Sequence, residues 1–480
     1  MTRAIFHFTR DLRLEDHAGL VLAGAAGDVI PVLVVDPALC ARLRRSPRRA
    51  AYYCDAVGAL DAALRERNAR LIVRRGNAGT VLRGLARATG ATNVVWSASY
   101  DAVGARADRD VQAALEEAGL RVTVVTDALA VPPEETSAAR ESAGEGYRAL
   151  AAYLEVWRTF SPLPLPTQPS FATPEIASEA LPVPAEFGSN VETLGELDVR
   201  AVRAGLERFL EGPALQYGWT RNVPSAEATS HLSAPLSFGV VSARSVVAAT
   251  RERRADPFLL AEERASLALF ERALAQRDFF LQLAYYFDTI EEAPLQEKMR
   301  RFAFSKTHPG VDAWRSGRTG YPLVDAGMRE LRATGWMHPR VRTIAASFLC
   351  FDLGVDWRIG RDEWDRYLIE DEPALANGNW QWIAGVGADL AAYPRIYNPL
   401  KQARRFDPLG AYVRRWVGEL SARPDYAILD PGATGRTDQI ELPLFGENNY
   451  PSPIVDHESA ARAFLERYKK EVVVKTPLGA

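Results

Sequence analysis

Seven of the chain's ten tryptophans fall between residues 314 and 416: Trp314, Trp336, Trp357, Trp364, Trp380, Trp382 and Trp416. Indole is bulky, its N–H wants a partner when buried, and it is among the side chains most easily oxidised by one electron. Core packing accounts for any one of these residues, while a concentration of them also suits lining a flat aromatic ligand or passing single electrons. The same stretch carries charge. Arg340 and Arg342 lie on a predicted helix, and Glu370, Asp371 and Glu372 follow them. Buried pairs among these groups would hold charge beside a redox ring; surface ion pairs are the plain alternative. Lys401, Arg404, Arg405, Arg414 and Arg415 interleave with Tyr397, Phe406, Tyr412 and Trp416. That pattern suits a nucleic-acid backbone with exposed bases, and equally a solvated helix face.

Upstream, Thr229, Ser230 and Ser233 stand just before a helical pattern. Hydroxyls and free backbone N–H groups at a helix start suit a phosphate, although ordinary N-capping explains them as well. GVGADL (385–390) resembles a glycine-rich dinucleotide loop, but it follows WQW rather than a strand, so that reading is rejected.

The elements that must position these residues fall into two kinds. Ala4 to Phe8, Val29 to Val35, Leu71 to Arg74, Asn93 to Ser97 and Arg121 to Thr126 read as strands, with helical spacing over 49–68, 77–89 and 103–118 between them. Strand and helix in alternation predict a parallel sheet covered on both faces. Residues from about 160 to 198 are proline-dense and read as a long connector, with low-complexity disorder as the competing reading. From about 200 onward the pattern is helical, over 200–211, 241–253, 257–288, 322–332, 338–353, 362–369 and 455–471. The expected organisation is an α/β domain over 1–130, a linker over 131–199 and an all-α domain over 200–480 large enough to enclose a ligand.

Bulk properties narrow the classes. A chain of 480 residues is too long for one ordinary core. The formal net charge of −3 gives no global basic field, so a nucleic-acid partner would need a local patch. Cys40, Cys54 and Cys350 are scattered, form no CxxC pair and predict no metal site. MTRAIFHFTRDLRLEDH turns charged early and lacks a signal-peptide core, and no apolar run is long enough to span a bilayer, so the expected location is the cytoplasm with no membrane partner.

Several motifs taken together resemble the photolyase/cryptochrome family. They are FTRDLRLEDH (8–17), YGWTRN (217–222), TSHLS (229–233), GRTGYPLVDAGMRELRATGWMH (317–338), NGNWQW (377–382) and RIYNPLKQARRFD (395–407). The resemblance covers nearly the whole chain. It implies an α/β antenna domain linked to a helical domain that holds FAD in a U shape, with a second, antenna chromophore left unassigned; residues near Ser99 to Arg109 are where one would lie. It implies a likeness to bacterial enzymes in which light-excited reduced flavin donates an electron to a flipped-out pyrimidine dimer, the dimer splits and the electron returns. UV-damaged DNA is the implied partner, and the protein is expected to act as a monomer.

Residue by residue, the resemblance assigns Tyr217, Arg221, Thr229, Ser230, His231, Leu232, Ser233, Arg277, Trp336, Arg342, Glu370, Glu372 and Ala376 to the cofactor, with the hydroxyls on the FAD phosphates and Arg342 next to the ring. Trp380 would be the flavin-side electron donor, Trp357 the next in line, and Trp382 would face the substrate cavity; Gln276, Lys401, Arg404 and Arg405 would meet DNA. Some positions depart from the family pattern. The third tryptophan of the usual electron chain falls at Phe304, which is much harder to oxidise. The Asn that commonly faces flavin N5 falls at Ala376, which offers no hydrogen bond. Glu370 and Glu372 stand where Asp is usual, and Pro339 where Asn is. Ala273 and Gln276 replace an acidic residue and a tryptophan that contact the dimer. The leading expectation is a light-driven DNA repair lyase. A cryptochrome-like photoreceptor is the alternative, motivated by Ala273, Gln276, Pro339 and Ala376, and the absence of a long tail after the last predicted helix counts modestly against it. A flavoprotein with dark redox chemistry is the third reading.

Overall fold

The computed structural model describes residues 2–140, 144–166, 169–172, 174–195, 197, 199–388, 393–431 and 450–473. Asp389 and Leu390 of GVGADL, five connector residues and the terminal 474–480 lie outside the described residues. Contacts divide the chain into two compact units: Met1–Gly218 with Thr229–Glu291 and Ile369–Leu375, and Trp219–Ala228 with Glu292–Leu368 and Ala376–Ala480.

The first unit contains one parallel sheet of β1 (Arg3–Phe8), β2 (Asp28–Val35), β3 (Ile72–Arg75), β4 (Asn93–Ser97) and β5 (Arg121–Val125), in the order β3-β2-β1-β4-β5. Each strand matches its sequence expectation to within a residue. Alternate residues of β1 point to opposite faces, and the core divides accordingly. Phe6 and Phe8 join Leu33, Tyr53 and Leu60 on one side. Ile5 joins Ile30, Val94, Trp96 and Leu82 on the other. The crossover helices start where a side chain accepts from their first turn: Ser46 for Pro47–Arg65, Asn77 for Ala78–Thr89 and Asp101 for Ala102–Glu117. Helices Ala243–Arg254 and Ala261–Tyr286 belong to this unit as well.

Residues 131–199, expected as a linker, contain two short helices, Pro133–Ala138 and Leu150–Trp157. The proline-dense part is tied down by backbone bonds. Val29 donates to the Ser170 carbonyl at 2.8 Å and accepts from Ala172 at 2.8 Å. β3 pairs with β2 only from Val32 onward, so the connector occupies the place beside the start of β2 that β3 leaves open. The described part is therefore an ordered strap, not a low-complexity tail.

The second unit is helical among its described residues. Pro322–Thr334 and Pro339–Ser347 each begin with Pro in the first turn. The span expected as one helix over 338–353 ends its α geometry at Ser347 and finishes in a π-turn over Phe348–Asp352. The helix expected over 362–369 instead runs Trp357–Asp365, because the Asp356 carboxylate accepts from Arg358 N at 2.9 Å and starts it a turn earlier. Trp314, Leu331, Phe348, Trp357 and Trp380 are among the residues of this unit's core.

Candidate functional site

In the first unit, Tyr217 packs edge-on against Phe209 and Phe270, at 6.3 and 5.5 Å between ring centroids. The TSHLS segment leads into the short helix Ser233–Ser237, whose N-cap, Leu232, makes no side-chain cap bond. The hydroxyls therefore do not serve as ordinary caps. Thr229 Oγ1 is buried and has no hydrogen-bond partner among the described residues, and His231 takes a left-handed backbone at φ +50°. A buried hydroxyl without a partner costs about 1–3 kcal/mol. An oxygen-rich ligand group against this segment would supply the missing partner, so the donor set fits the phosphates of FAD.

Arg277, on Ala261–Tyr286, is 8% exposed. Its guanidinium donates to the Ala128 carbonyl at 2.7 Å and reaches Glu372 Oε2 at 3.5 Å. Burial pushes the Glu372 carboxyl up, against the pull of Arg10 and Arg277. The neighbouring Asp371 is the anchor of the Ile369–Leu375 segment. It meets Arg42 at 2.8 Å, Arg49 at 3.6 Å and Arg10 at 3.8 Å. Burial alone would raise its pKa, but the three guanidinium groups outweigh it and hold the carboxyl well below the usual range. Arg49 also donates to the Glu370 carbonyl at 3.1 Å, and Arg42 pairs with Asp101 at 2.7 Å. Sequence order set these carboxylates beside Arg340 and Arg342. Asp371 and Glu372 pair instead with distant arginines, and no local signal near Arg42 or Arg49 marks them for that role. Gln276 is half-buried on the same helix as Arg277.

The strand order reverses between β1 and β4, the place where open parallel sheets bind ligands. Here that place holds a cavity of about 30 Å³, lined by Arg10, Ser97, Tyr100, Asp127 and Glu372 among others. It has room for water and none for a chromophore ring. In the Ser99–Arg109 stretch, Asp108 accepts from Ser99 N at 2.7 Å and Asp101 from Gly104 N at 2.9 Å, while Ala102 N donates to Glu291 Oε1 at 2.9 Å.

In the second unit the tryptophans converge. Trp380 is 3% exposed, and its ring lies 4.4 Å from Trp364, which stacks on Trp314 at 6.4 Å and 17°. The close approach depends on Gly360, where a Cβ would come within 2.2 Å of the Trp380 ring. Trp357 is buried on the same helix as Trp364, and the guanidinium carbons of Arg358 and Arg361 stand 5.5 and 5.4 Å from its ring centre. Phe304 packs among Phe302 and Phe464 at 5.0 and 6.0 Å. Trp382, two positions beyond Trp380, keeps part of its surface accessible, and Ala376 is half-buried on the same helix, Pro373–Ile383. That helix is closed by the GVG sequence: Val386 N and Gly387 N both donate to the Gln381 carbonyl. Residues 385–387 of GVGADL thus close a helix.

Arg342 donates through Nε to the Met337 carbonyl at 2.8 Å, and Trp336 sits edge-on to His338 at 6.1 Å. Arg340 takes no carboxylate among the described residues. It binds Asn222 Oδ1 at 2.6 Å and covers the Phe406 ring at 4.8 Å. Arg221, in the same YGWTRN segment as Asn222, is half-buried. The basic run divides. Arg404, Arg414 and Arg415 pair with Asp430, Asp425 and Glu227 at 3.2, 2.6 and 2.6 Å. Lys401 and Arg405 are exposed and form no ion pair among the described residues. No cluster able to hold a metal ion occurs among the described residues.

Known proteins share this architecture. Residues 4–170 match the sequence model of DNA photolyase, and residues 270–470 match that of the FAD binding domain of DNA photolyase. A deoxyribodipyrimidine photo-lyase of Halobacterium salinarum is 33% identical over 488 aligned positions, spanning 97% of this chain and 98% of the relative. An archaeal photolyase from Sulfolobus tokodaii, solved with two FAD molecules, superposes with a TM-score of 0.82 at 29% identity, over 98% of this chain and all of that one. A cryptochrome from Synechocystis superposes with a TM-score of 0.86 at 26% identity, over 98% of this chain and 99% of that one. With such similarity running from the sheet to the last helix, and the Thr229 hydroxyl left without a partner among the described residues where the resemblance puts the cofactor phosphates, the chain belongs to the DNA photolyase family and its C-terminal half is that family's FAD-binding domain.

Proposed function

We propose that this protein is a light-driven carbon–carbon lyase that repairs pyrimidine dimers in UV-damaged DNA, acting as a monomer. The observation that carries the proposal is the helix Pro373–Ile383, which buries Trp380 in an aromatic cluster while leaving Trp382 accessible two positions later. An accessible indole offers a stacking face to an extruded base. Lys401 and Arg405, exposed and free of internal ion pairs among the described residues, supply phosphate contacts. Bound FAD in its reduced state supplies a light-excited one-electron donor. Thr229, Ser230, His231, Leu232 and Ser233 would hold its phosphates, with Tyr217 and Arg221 in the same binding region. Arg277, Arg342, Glu370 and Glu372 would fix charge about it, Trp336 would pack against it, and Ala376 would leave N5 without a side-chain hydrogen bond. Gln276 and Arg404 complete the proposed DNA contacts.

The deciding experiment illuminates the chemically reduced, FAD-loaded protein with an oligonucleotide carrying one cyclobutane dimer. Restored thymine absorbance under blue light and none in the dark is expected; intact dimers under light would end the proposal. The photoreceptor reading is favoured by Ala273, Gln276 and Pro339 and by the likeness to the Synechocystis cryptochrome. It becomes the better account if dimers survive while light alters oligomeric state or partner binding.

A further inference from the structure

We propose that Asp371 is a positioning residue for the cofactor: clasped by Arg10, Arg42 and Arg49, it fixes Glu370 and Glu372 on either side of it and ties them to the segment that would hold the FAD phosphates. The proposal rests on the reading of Glu370, Glu372 and the TSHLS hydroxyls as cofactor groups. It gives a part in cofactor binding to Arg42 and Arg49, which lie in none of the family motifs. Three observations carry it.

First, residues 369–372 belong to no helix or strand, so groups outside the segment must satisfy its backbone. Arg10 donates to the Asp371 carbonyl at 2.6 Å, Arg49 donates to the Glu370 carbonyl at 3.1 Å, and the Asp371 amide donates to Ser237 Oγ at 3.2 Å. Second, Ser237 closes the short helix Ser233–Ser237, which the hydroxyl segment opens. Asp371 is thus bonded to the element that follows the phosphate-side groups and is the chain neighbour of both carboxylates. A ligand that touches the two sets is held at a spacing that Asp371 fixes. Third, the side chain is a costly choice. Asp371 is 3% exposed and Arg49 2%. Arg42 meets Asp371 at 2.8 Å and Asp101 at 2.7 Å, and its Nη2 is buried with no hydrogen-bond partner among the described residues. Buried ion pairs often add nothing to stability over a well-packed apolar replacement, so geometry is the better reason to keep this one. The cluster also reaches the proposed flavin contact. Arg10 lies 3.8 Å from Asp371 and 4.0 Å from one oxygen of Glu372, while Arg277 lies 3.5 Å from the other.

Charge gives the proposal a sign. Reduced FAD carries more negative charge than oxidised FAD, so a buried carboxylate held close to it opposes reduction and a guanidinium favours it. Removing Asp371 and removing Arg42 should therefore move the potential in opposite directions. Mere loosening of the segment would move it the same way in both.

The test loads Asp371→Asn, Arg42→Gln and Glu372→Gln with FAD and measures, for each, the FAD dissociation constant, the two-electron midpoint potential and the melting temperature. Tyr450→Phe, which loses a buried hydrogen bond to Asp325, is the control for lost stability alone. Asp371→Asn is expected to weaken FAD binding at least tenfold and to shift the equilibrium of the bound flavin about tenfold towards its reduced form, about 30 mV upward. Arg42→Gln should weaken binding as well and shift the potential downward. A cluster with a structural role only would lower the melting temperature, as Tyr450→Phe does, and leave the potential of the bound flavin where it was. That result, or shifts of the same sign in the two variants, overturns the proposal. Glu372→Gln separates this failure from failure of the reading beneath it. If Glu372→Gln changes neither affinity nor potential, Glu372 is not at the flavin and both fall together. If it changes both while Asp371→Asn changes neither, the positioning role alone fails. Should Asp371→Asn not fold, Arg42→Lys decides against Arg42→Gln: lysine keeps the charge and should restore the native potential, and equal potentials in the two overturn the proposal.

Discussion

Thr229 has a buried hydroxyl with nothing to bond among the described residues, and a single substitution shows whether the cofactor is its partner. Thr229→Val keeps the shape and removes the oxygen. Loss of one hydrogen bond to a phosphate is worth about 1–2 kcal/mol, so FAD affinity should fall roughly five- to thirtyfold in equilibrium dialysis. At the proposed substrate face, Trp382→Ala should weaken binding of dimer-containing DNA by about tenfold or more, since one base–aromatic stack contributes roughly 1–3 kcal/mol. A fluorescence-anisotropy titration with lesion and lesion-free duplexes distinguishes this from general DNA affinity, which Lys401→Ala and Arg405→Ala should lower uniformly. Each of those two should also flatten the salt dependence of binding by about one unit of slope. Arg404→Ala should do less, because Arg404 is already committed to Asp430.

At the scale of elements, the packing of two helices rests on one missing methyl group. Pro373–Ile383 lays Trp380 against Trp357–Asp365 at Gly360, where a Cβ would meet the indole at 2.2 Å and Leu349 at 2.5 Å. Gly360→Ala should therefore displace Trp380 and destabilise the protein by about 1–3 kcal/mol. The expected result is a lowered melting temperature together with slower photoreduction. A stable variant with unchanged photochemistry would mean the helices part without moving the ring. The strap over the start of β2 illustrates the same scale. Its composition gave no periodicity, and its order comes from backbone groups on β2 that a short β3 leaves unpaired.

For the whole molecule, two buried carboxylates set opposing responses to pH. Asp371 is held below its unfolded value, so its contribution is present above about pH 4 and is lost as pH falls through the native pKa. Asp278 is pushed up to about 6 by burial, against the pull of Arg277, the Trp157 N–H and the Ala130 and Val131 amides. Its contribution is full below the unfolded value near 4 and is lost as pH rises towards 6. Relative to Asp278→Asn, the native chain should lose up to about 3 kcal/mol of unfolding free energy between pH 4 and pH 6.5 and stay level above pH 7. Relative to Asp371→Asn the change should have the opposite sign and lie at more acid pH. Urea unfolding from about pH 2 to about pH 7 measures both, and parallel curves for native and variant chains would contradict the assignments.

By itself, the sequence determined the elements and the family. Strand and helix periodicity located all five strands, and the ordered motifs from FTRDLR to RIYNPLKQ carried the flavin-binding assignment, because apolar spacing and local motifs are properties of neighbouring residues. Pairings across long separations were decided only by the tertiary structure. Nothing near Arg42 or Arg49 announces Asp371, and nothing in the spacing of Trp380 and Trp364 tells that their rings lie 4.4 Å apart while Arg358 and Arg361 cover Trp357. Charge pairing and electron transfer act through space over a few ångströms, and only the folded chain sets which distant residues come within that range.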